Sequence, residues 1–186
     1  MKLLSGNKKN DLPGRLKKQD PAAQKIFYDR NVKKFLSVSR SYISDVYQAE
    51  DCVIKAFCKI FRNIESFRGE GSLEGWARRI VVNECLNFIK SHKTVFYLDD
   101  ISESYLGEIY EEDIAFDFDA QDLLDQLPDA YRMVFNLYVL ENYSHQEISE
   151  ILRISIAVSK TQLFRAKEKM RKIYFQQQKS LQNEKF

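Results

Sequence analysis

The residues best equipped for chemistry are scattered along this chain. Its two histidines, His92 and His145, stand far apart, and the acidic clusters Asp99-Asp100 and Glu111-Glu112-Asp113 fall in a stretch without helical periodicity. Acid–base or metal chemistry needs such groups to converge, and nothing in their spacing brings them together. Cys52, Cys58 and Cys85 are odd in number, sit among apolar neighbours in helical patterns and lack a Cys-x-x-Cys spacing, so they are expected to be buried thiols rather than metal or redox ligands. No glycine-rich phosphate-binding motif occurs. The expectation is a protein that is not an enzyme, with no cofactor, metal or small-molecule substrate. What remains is the chemistry of long cations aimed at a polyanion.

Those cations are best organised near the carboxyl end. Ser144-His145-Gln146-Glu147 has the form of a capping box, in which the Ser hydroxyl bonds the N–H three residues on and the Glu carboxylate reaches back. A short helix follows, with Ile148, Ile151 and Leu152 as its apolar stripe. It should stop at Arg153-Ile154-Ser155, where Ser155 can cap a second helix. Short helix, tight turn and longer helix make a helix-turn-helix. Ile156, Ser159, Leu163, Ala166 and Met170 share one side of the second helix and should face the core. Lys160, Thr161, Phe164, Arg165, Glu168 and Arg171 fall on other faces, where Arg and Lys suit guanine acceptors and Thr suits a base edge or methyl in a major groove. The plainer alternative is a solvated basic helix with Phe164 covered.

Charge is segregated on a larger scale. Residues 1–93 carry 19 Lys and Arg against 10 Asp and Glu, residues 94–131 carry 0 against 12, and residues 132–186 carry 10 against 5, so the net charge of +2 conceals two basic blocks around an acidic one. Two modules that each meet a polyanion, with a connector that repels nucleic acid, would have this pattern; a membrane surface would also attract the basic blocks. No apolar run is long enough to span a bilayer, and the amino-terminal residues lack the apolar core of a signal peptide. A cytoplasmic location without membrane insertion is the resulting expectation.

The elements that must hold these groups are helices, since the chain is 44% hydrophobic with only 6 Gly and 3 Pro. Asp20-Pro21 is a capped start for a helix to about Arg30. Phe35, Val38, Tyr42 and Val46 mark a second helix, and Val53, Phe57, Ile60 and Ile64 a third. Phe67-Arg68-Gly69-Glu70-Gly71-Ser72 breaks the pattern as a tight loop, after which Ser72 can cap a helix from about Leu73 to Lys90. Trp76, Ala77, Ile80, Val81, Glu84, Cys85 and Phe88 form the periodic side of that helix, with Trp76 in the core. Leu127-Pro128-Asp129 breaks before a helix through Met133, Val134, Leu137 and Leu140. The expected fold is all-α: two small helical domains, 1–93 and 120–186, joined by a flexible acidic linker, 94–119.

The stretch LPDAYRMVFNLYVLENYSHQEISEILRISIAVSKTQLFRAKEKMRK resembles region four of the extracytoplasmic-function (ECF) group of sigma factors, and QAEDCVIKAFCKIFRNIESFRGEGSLEGWARRIVVNECLNFIK resembles their region two. The resemblance covers roughly two-thirds of the chain, and both regions stand in the family's order. It implies core RNA polymerase and promoter DNA as partners, and for many members of the group an anti-sigma factor. Carried over by residue, it implies that Lys160, Thr161, Phe164 and Arg165, with Gln162 and Lys167 nearby, lie in the groove of the −35 element. The loop Phe67, Arg68, Gly71 and Ser72 would capture a base from the −10 element, with Arg78, Arg79 and Asn83 holding the duplex edge and phosphates. Asp51, Phe57 and Arg62, on the helix with Glu50 and Val53, would touch the polymerase clamp.

Three positions depart from the family pattern. Ile54-Lys55 replaces a Gln followed by an acidic residue, Arg153 stands where Gly is usual, and Ala157-Val158 replaces Gly-Thr. The first keeps a second function open: a helix-turn-helix regulator, or a degenerate sigma paralogue, acting without core polymerase.

Overall fold

The computed structural model describes residues 11–92 and 120–183, and every regular element among them is helical. They belong to two compact units, one within Met1–His92 and one within Lys93–Phe186, each with a buried core of its own. The acidic segment 94–119, with Asp99-Asp100 and Glu111-Glu112-Asp113, lies outside the described residues.

The first unit contains α1 (Leu12–Lys17), α2 (Pro21–Tyr42), α3 (Val46–Arg62), a 3-10 turn (Ile64–Ser66) and α4 (Leu73–His92). Asp20 caps α2 as its neighbourhood suggested, accepting from the backbone N–H groups of Ala22 at 2.9 Å and Ala23 at 3.4 Å. The hydrogen bond from the Arg15 guanidinium, 2.8 Å away, holds the Asp20 carboxyl below the usual carboxylate range. The same local signal stands nine residues earlier. Asp11 accepts from Gly14 N–H at 2.9 Å, with a proline in the following turn, and so starts α1.

Where two helices were expected between Pro21 and Val46, one continuous helix runs to Tyr42. Nothing from Arg30 to Lys34 breaks a helix. Asn31, the residue most able to compete with the backbone, is buried and donates its side-chain amide to Phe27 O at 2.8 Å, one turn back. The break falls instead at Ile43-Ser44. There Asp45 caps α3 through Gln48 N–H, so Val46 opens the third helix and is exposed.

Helices α2, α3 and α4 pack on one another. Phe27, Phe35 and Phe57 meet at ring distances of 5.4 to 6.4 Å, and Phe61 and Tyr28 close on Phe57 at 5.9 and 4.7 Å. Val53, Ile60 and Ile64 are buried as their spacing required. Cys52 and Cys85 are buried too. The Cys85 thiol donates to Ser39 Oγ at 3.3 Å, and that hydroxyl donates to Ala49 O at 2.9 Å, tying α4 to α2 and α2 to α3. The hydrogen bond with Cys52 and burial push Cys85 well above the ordinary thiol range, so it is protonated and inert. Cys58, expected inside, is exposed, because it follows Ile54 by one turn on the outer side of α3.

The buried side of α4 is Leu73, Ala77, Val81, Val82, Cys85, Leu86 and Ile89. Trp76, Ile80 and Phe88 are half-buried along its edge, and Glu84 is turned to Lys59 at 2.5 Å. The stripe is therefore rotated by part of a turn from its expected phase, since α4 has to face both α2 and α3.

The second unit contains α5 (Ala120–Asp125), α6 (Asp129–Phe135) running into a π-helical turn (Asn136–Leu140), α7 (His145–Leu152) and α8 (Ile156–Asn183). Pro128 precedes α6, and Met133, Val134 and Leu137 are buried as read. Leu140 is not. The π turn, closed by Glu141 N–H donating to Asn136 O at 3.0 Å, adds a residue to the ring and carries Leu140 out of the apolar phase. Arg132 is 2% exposed; its guanidinium donates to the carbonyls of Asp125 at 3.2 Å and Leu127 at 2.9 Å, between the carboxylates of Asp125 and Asp129. It closes the carboxyl end of α5 against the start of α6. Helices α5, α6 and α7 all pack on α8.

Candidate nucleic-acid interface

The helix-turn-helix is built by local chemistry. Ser144 Oγ accepts from Glu147 N–H at 3.2 Å while Glu147 Oε2 accepts from Ser144 N–H at 2.8 Å, forming the capping box that starts α7. Those hydrogen bonds from Ser144 hold the Glu147 carboxyl below its ordinary value. Ile148 and Leu152 turn inward, and α7 ends at Arg153, whose φ of 56° is left-handed. Ser155 Oγ then accepts from Val158 N–H at 3.1 Å to start α8. An L side chain at that turn is strained, so Arg153→Gly is expected to stabilise the carboxyl-terminal unit by about 0.5–1 kcal/mol, after the entropy glycine adds to the unfolded chain. A denaturant titration of both proteins gives the difference directly.

On α8 the buried side is Ser159, Leu163, Ala166, Met170 and Ile173. Ile156, placed in that stripe by its spacing, is 45% exposed: as the first helical residue it leans back past the packed turn. At about 100° per residue, Ala157, Lys160, Thr161, Phe164, Glu168 and Arg171 lie opposite the buried side. Lys160 is exposed. Thr161 is half-buried and donates its hydroxyl to Ala157 O at 3.0 Å, leaving its lone pairs and methyl to face outward. Phe164 is half-buried rather than the exposed aromatic expected. Arg165 is also half-buried and donates to the phenol oxygen of Tyr131 on α6 at 3.4 Å. Gln162 lies at the edge of the buried stripe, set apart from the outward group, whereas Lys167 follows Lys160 by two turns and shares its flank of α8.

In the first unit, Gly69 and Gly71 have φ of 81° and 82°, and a Cβ at either would meet nothing within 4 Å. Backbone conformation, not crowding, demands glycine there. Arg68 and Glu70 are exposed at the tip. Phe67, assigned to the capture loop, is 5% exposed and packs its ring on Trp76 at 5.7 Å, so it anchors the loop from beneath. Ser72 Oγ accepts from Gly75 N–H at 3.0 Å and caps α4 as foreseen. Arg78 is half-buried, whereas Arg79 and Asn83 are exposed one turn apart. Asn87 and Lys90 extend that exposed polar line at spacings of four and three residues, a continuation that no sequence motif marks.

On α3, Asp51 and Arg62 are exposed. Phe57, assigned with them to a partner surface, is 3% exposed inside the aromatic cluster, so that assignment is corrected: the ring is core. The outward line of α3 is Tyr47, Asp51, Ile54 and Cys58, with Tyr47 79% and Ile54 55% exposed. Tyr47 stands seven residues before Ile54 on that line, so helical spacing places it there, though no motif marks it. Lys55 is exposed beside Ile54, so the departure from the family pattern sits on the outer face.

No group of three or more His, Cys, Asp or Glu that could hold a metal occurs among the described residues, and none of their helices is long and apolar enough to cross a membrane. Comparison with known proteins gives two family matches: sigma-70 region 2 over residues 27–95 and sigma-70, region 4 over residues 118–170, together about two-thirds of the 186 residues. The chain is 29% identical over 171 residues to the ECF RNA polymerase sigma factor SigW of Bacillus subtilis, covering 84% of this chain and 91% of that one. It is 28% identical over 137 residues to the RNA polymerase sigma factor SigV of the same organism, covering 74% and 82%. Among solved structures, the sigma factor RpoE of Bartonella quintana in complex with the anti-sigma factor NepR aligns with a TM-score of 0.46 at 20% identity, covering 78% of this chain and 94% of that chain. With both sigma-70 regions matched in order and relatives aligned across most of the chain, the chain belongs to the ECF group of RNA polymerase sigma factors.

Proposed function

We propose that this sigma factor is a non-enzymatic specificity subunit acting in the cytoplasm, and that its work divides by segment. Residues 1–93 dock on core RNA polymerase and hold the −10 element, residues 94–119 serve as an acidic linker, and residues 120–186 bind the −35 element. The observation that carries this reading is the pairing of two compact helical units, each within a matched sigma-70 region and each with cations on the outer side of one helix, Arg79 and Lys90 on α4 and Lys160 on α8.

On α8, Lys160 meets phosphate while Arg165 and Thr161 read base edges and Phe164 fills the groove wall. On α4, Arg79 and Asn83 face the −10 element, with Arg68 and the glycine backbone of the loop beside it and Arg78 at the duplex edge. Unstacking a base costs a few kcal/mol, and a protein that contacts only the extruded form offsets that cost in the melted state alone. Asp51 and Arg62 lie on the α3 face that docks on polymerase. A protein partner that covers this face until release, an anti-sigma factor, would compete for the same surface.

Arg165→Ala is expected to weaken promoter binding by about 1–3 kcal/mol and to relax sequence preference at the −35 element. Lys160→Ala should instead weaken binding to all sequences alike and lower the salt slope by about one. Binding titrations of the polymerase complex on promoter fragments with intact and scrambled −35 elements separate the two; equal behaviour of both variants on both fragments contradicts the assignment of α8.

The exposed Ile54-Lys55 pair favours a second reading, a paralogue that binds DNA without core polymerase, because it reverses charge on the docking face. A polymerase-binding assay decides between the two.

A further inference from the structure

A polar tether joins the two helices of the helix-turn-helix. His145, the first residue of α7, places Nδ1 2.8 Å from the Oγ of Ser159, which is fully buried on α8 one residue before Lys160. The imidazole also stacks on Tyr138 of the π turn, with ring centroids 4.7 Å apart and planes 25° from parallel. A single ring thus links α7, α8 and the turn that ends α6. A buried hydroxyl needs a partner, so this bond fixes where the amino-terminal turn of α8 sits against α7.

The charged groups acting on the ring among the described residues are Lys160 and Lys167 of α8. Tyr138 contributes an uncharged face, and Glu147, the acid on its own helix nearest in sequence, is engaged by Ser144. Partial burial first, then the two lysines, hold the imidazole below its ordinary value in the free protein. The amino end of a helix acts in the same direction.

We propose that His145 is a positioning residue for the DNA contact of α8, and that it takes up a proton when Lys160 and Lys167 meet phosphate. The inference rests on the reading of α8 as the −35-binding helix. A bound phosphate offsets the field of the two lysines, so the bound form holds the proton more firmly than the free form. By linkage, affinity then rises as pH falls through the window between the depressed free value and the higher bound one, and is flat well above it. Whichever tautomer the neutral ring adopts, the imidazolium can donate from Nδ1 to Ser159 Oγ, so protonation leaves the tether intact.

The test uses the full chain assembled with core polymerase, titrated onto a labelled promoter fragment at fixed ionic strength from pH 7.5 to 5.5, beside His145→Asn, His145→Phe and Lys160→Ala. Asn retains an amide near the Nδ1 position without titrating; Phe retains the stack and removes the tether. The expected result is that wild type gains about three- to tenfold in affinity over His145→Asn as pH falls, a single proton allowing at most about tenfold per pH unit. His145→Phe should bind more weakly than wild type at every pH while its far-UV spectrum is unchanged. A ratio of wild type to His145→Asn that does not vary with pH, alongside a clear loss in Lys160→Ala, overturns the proposal for His145 alone. Unchanged binding in Lys160→Ala overturns the reading of α8 and this inference with it. Because the chain has two histidines, the ring resonance of His145, assigned with a His92→Asn variant, must also titrate below the ordinary range in the free chain.

Discussion

Phe57→Ala lowers the stability of the amino-terminal unit by about 3–5 kcal/mol, the usual range for deleting a buried phenylalanine from a packed cluster. The ring is 3% exposed and touches Phe27, Phe35, Phe61 and Tyr28 from two helices, so no single neighbour can collapse into the space it leaves. A domain of this size commonly has only about 5–15 kcal/mol of total stability, so the loss is a large share of the whole. The thermal midpoint should fall by at least about 12 °C. The variant also separates core from docking surface. At temperatures where it remains folded its affinity for polymerase should equal that of wild type, whereas Asp51→Lys on the outer face should weaken the complex and leave the midpoint unchanged. Weak polymerase binding by a fully folded Phe57→Ala protein would return the ring to the interface.

The second large effect is at Arg132. Replacing it with alanine removes two hydrogen bonds to the Asp125 and Leu127 carbonyls and leaves two nearby carboxylates without their buried counter-charge. Breaking a buried charged network by deleting one partner costs about 3–5 kcal/mol, most of it the desolvation of what is left behind. Urea titration of the full chain should show the carboxyl-terminal unit unfolding first in Arg132→Ala, with the amino-terminal unit unmoved. Arg132→Lys keeps the charge but loses the planar fork, so it should recover only part of the stability. An unchanged midpoint in both variants would mean that Arg132 is solvated in solution.

What the sequence made legible was mostly local. The caps at Asp20, Ser72, Ser144 and Ser155 are each set by a side chain and a backbone N–H a few residues away, and each formed as read. The departure at Arg153, where glycine is usual, falls on a left-handed residue. The misses concern phase and depth, which are decided by neighbours distant in sequence. Cys58 and Val46 look apolar enough for the core, but Cys58 falls on the outer line of α3, and the break at Ile43-Ser44 leaves Val46 at the exposed start of that helix. Phe67 lies in a loop by pattern and under it in fact, because Trp76 one helical turn into α4 offers its ring a partner. The π turn at Asn136 has no sequence signature, and it alone reverses the fate of Leu140. The outward group on α8 was legible from spacing, while the tethers that set its position, Tyr131 to Arg165 and His145 to Ser159, were not, since each crosses between helices.

The most direct test of the whole account is to mix the purified chain with core RNA polymerase from its source, separate the complex on a gradient, and ask whether it starts transcription on genomic fragments. The account predicts a stable complex and defined start sites that depend on intact −10 and −35 elements, with Lys55 tolerated on the docking face. Absence of a complex, together with sequence-specific binding of DNA by the chain alone, would contradict it.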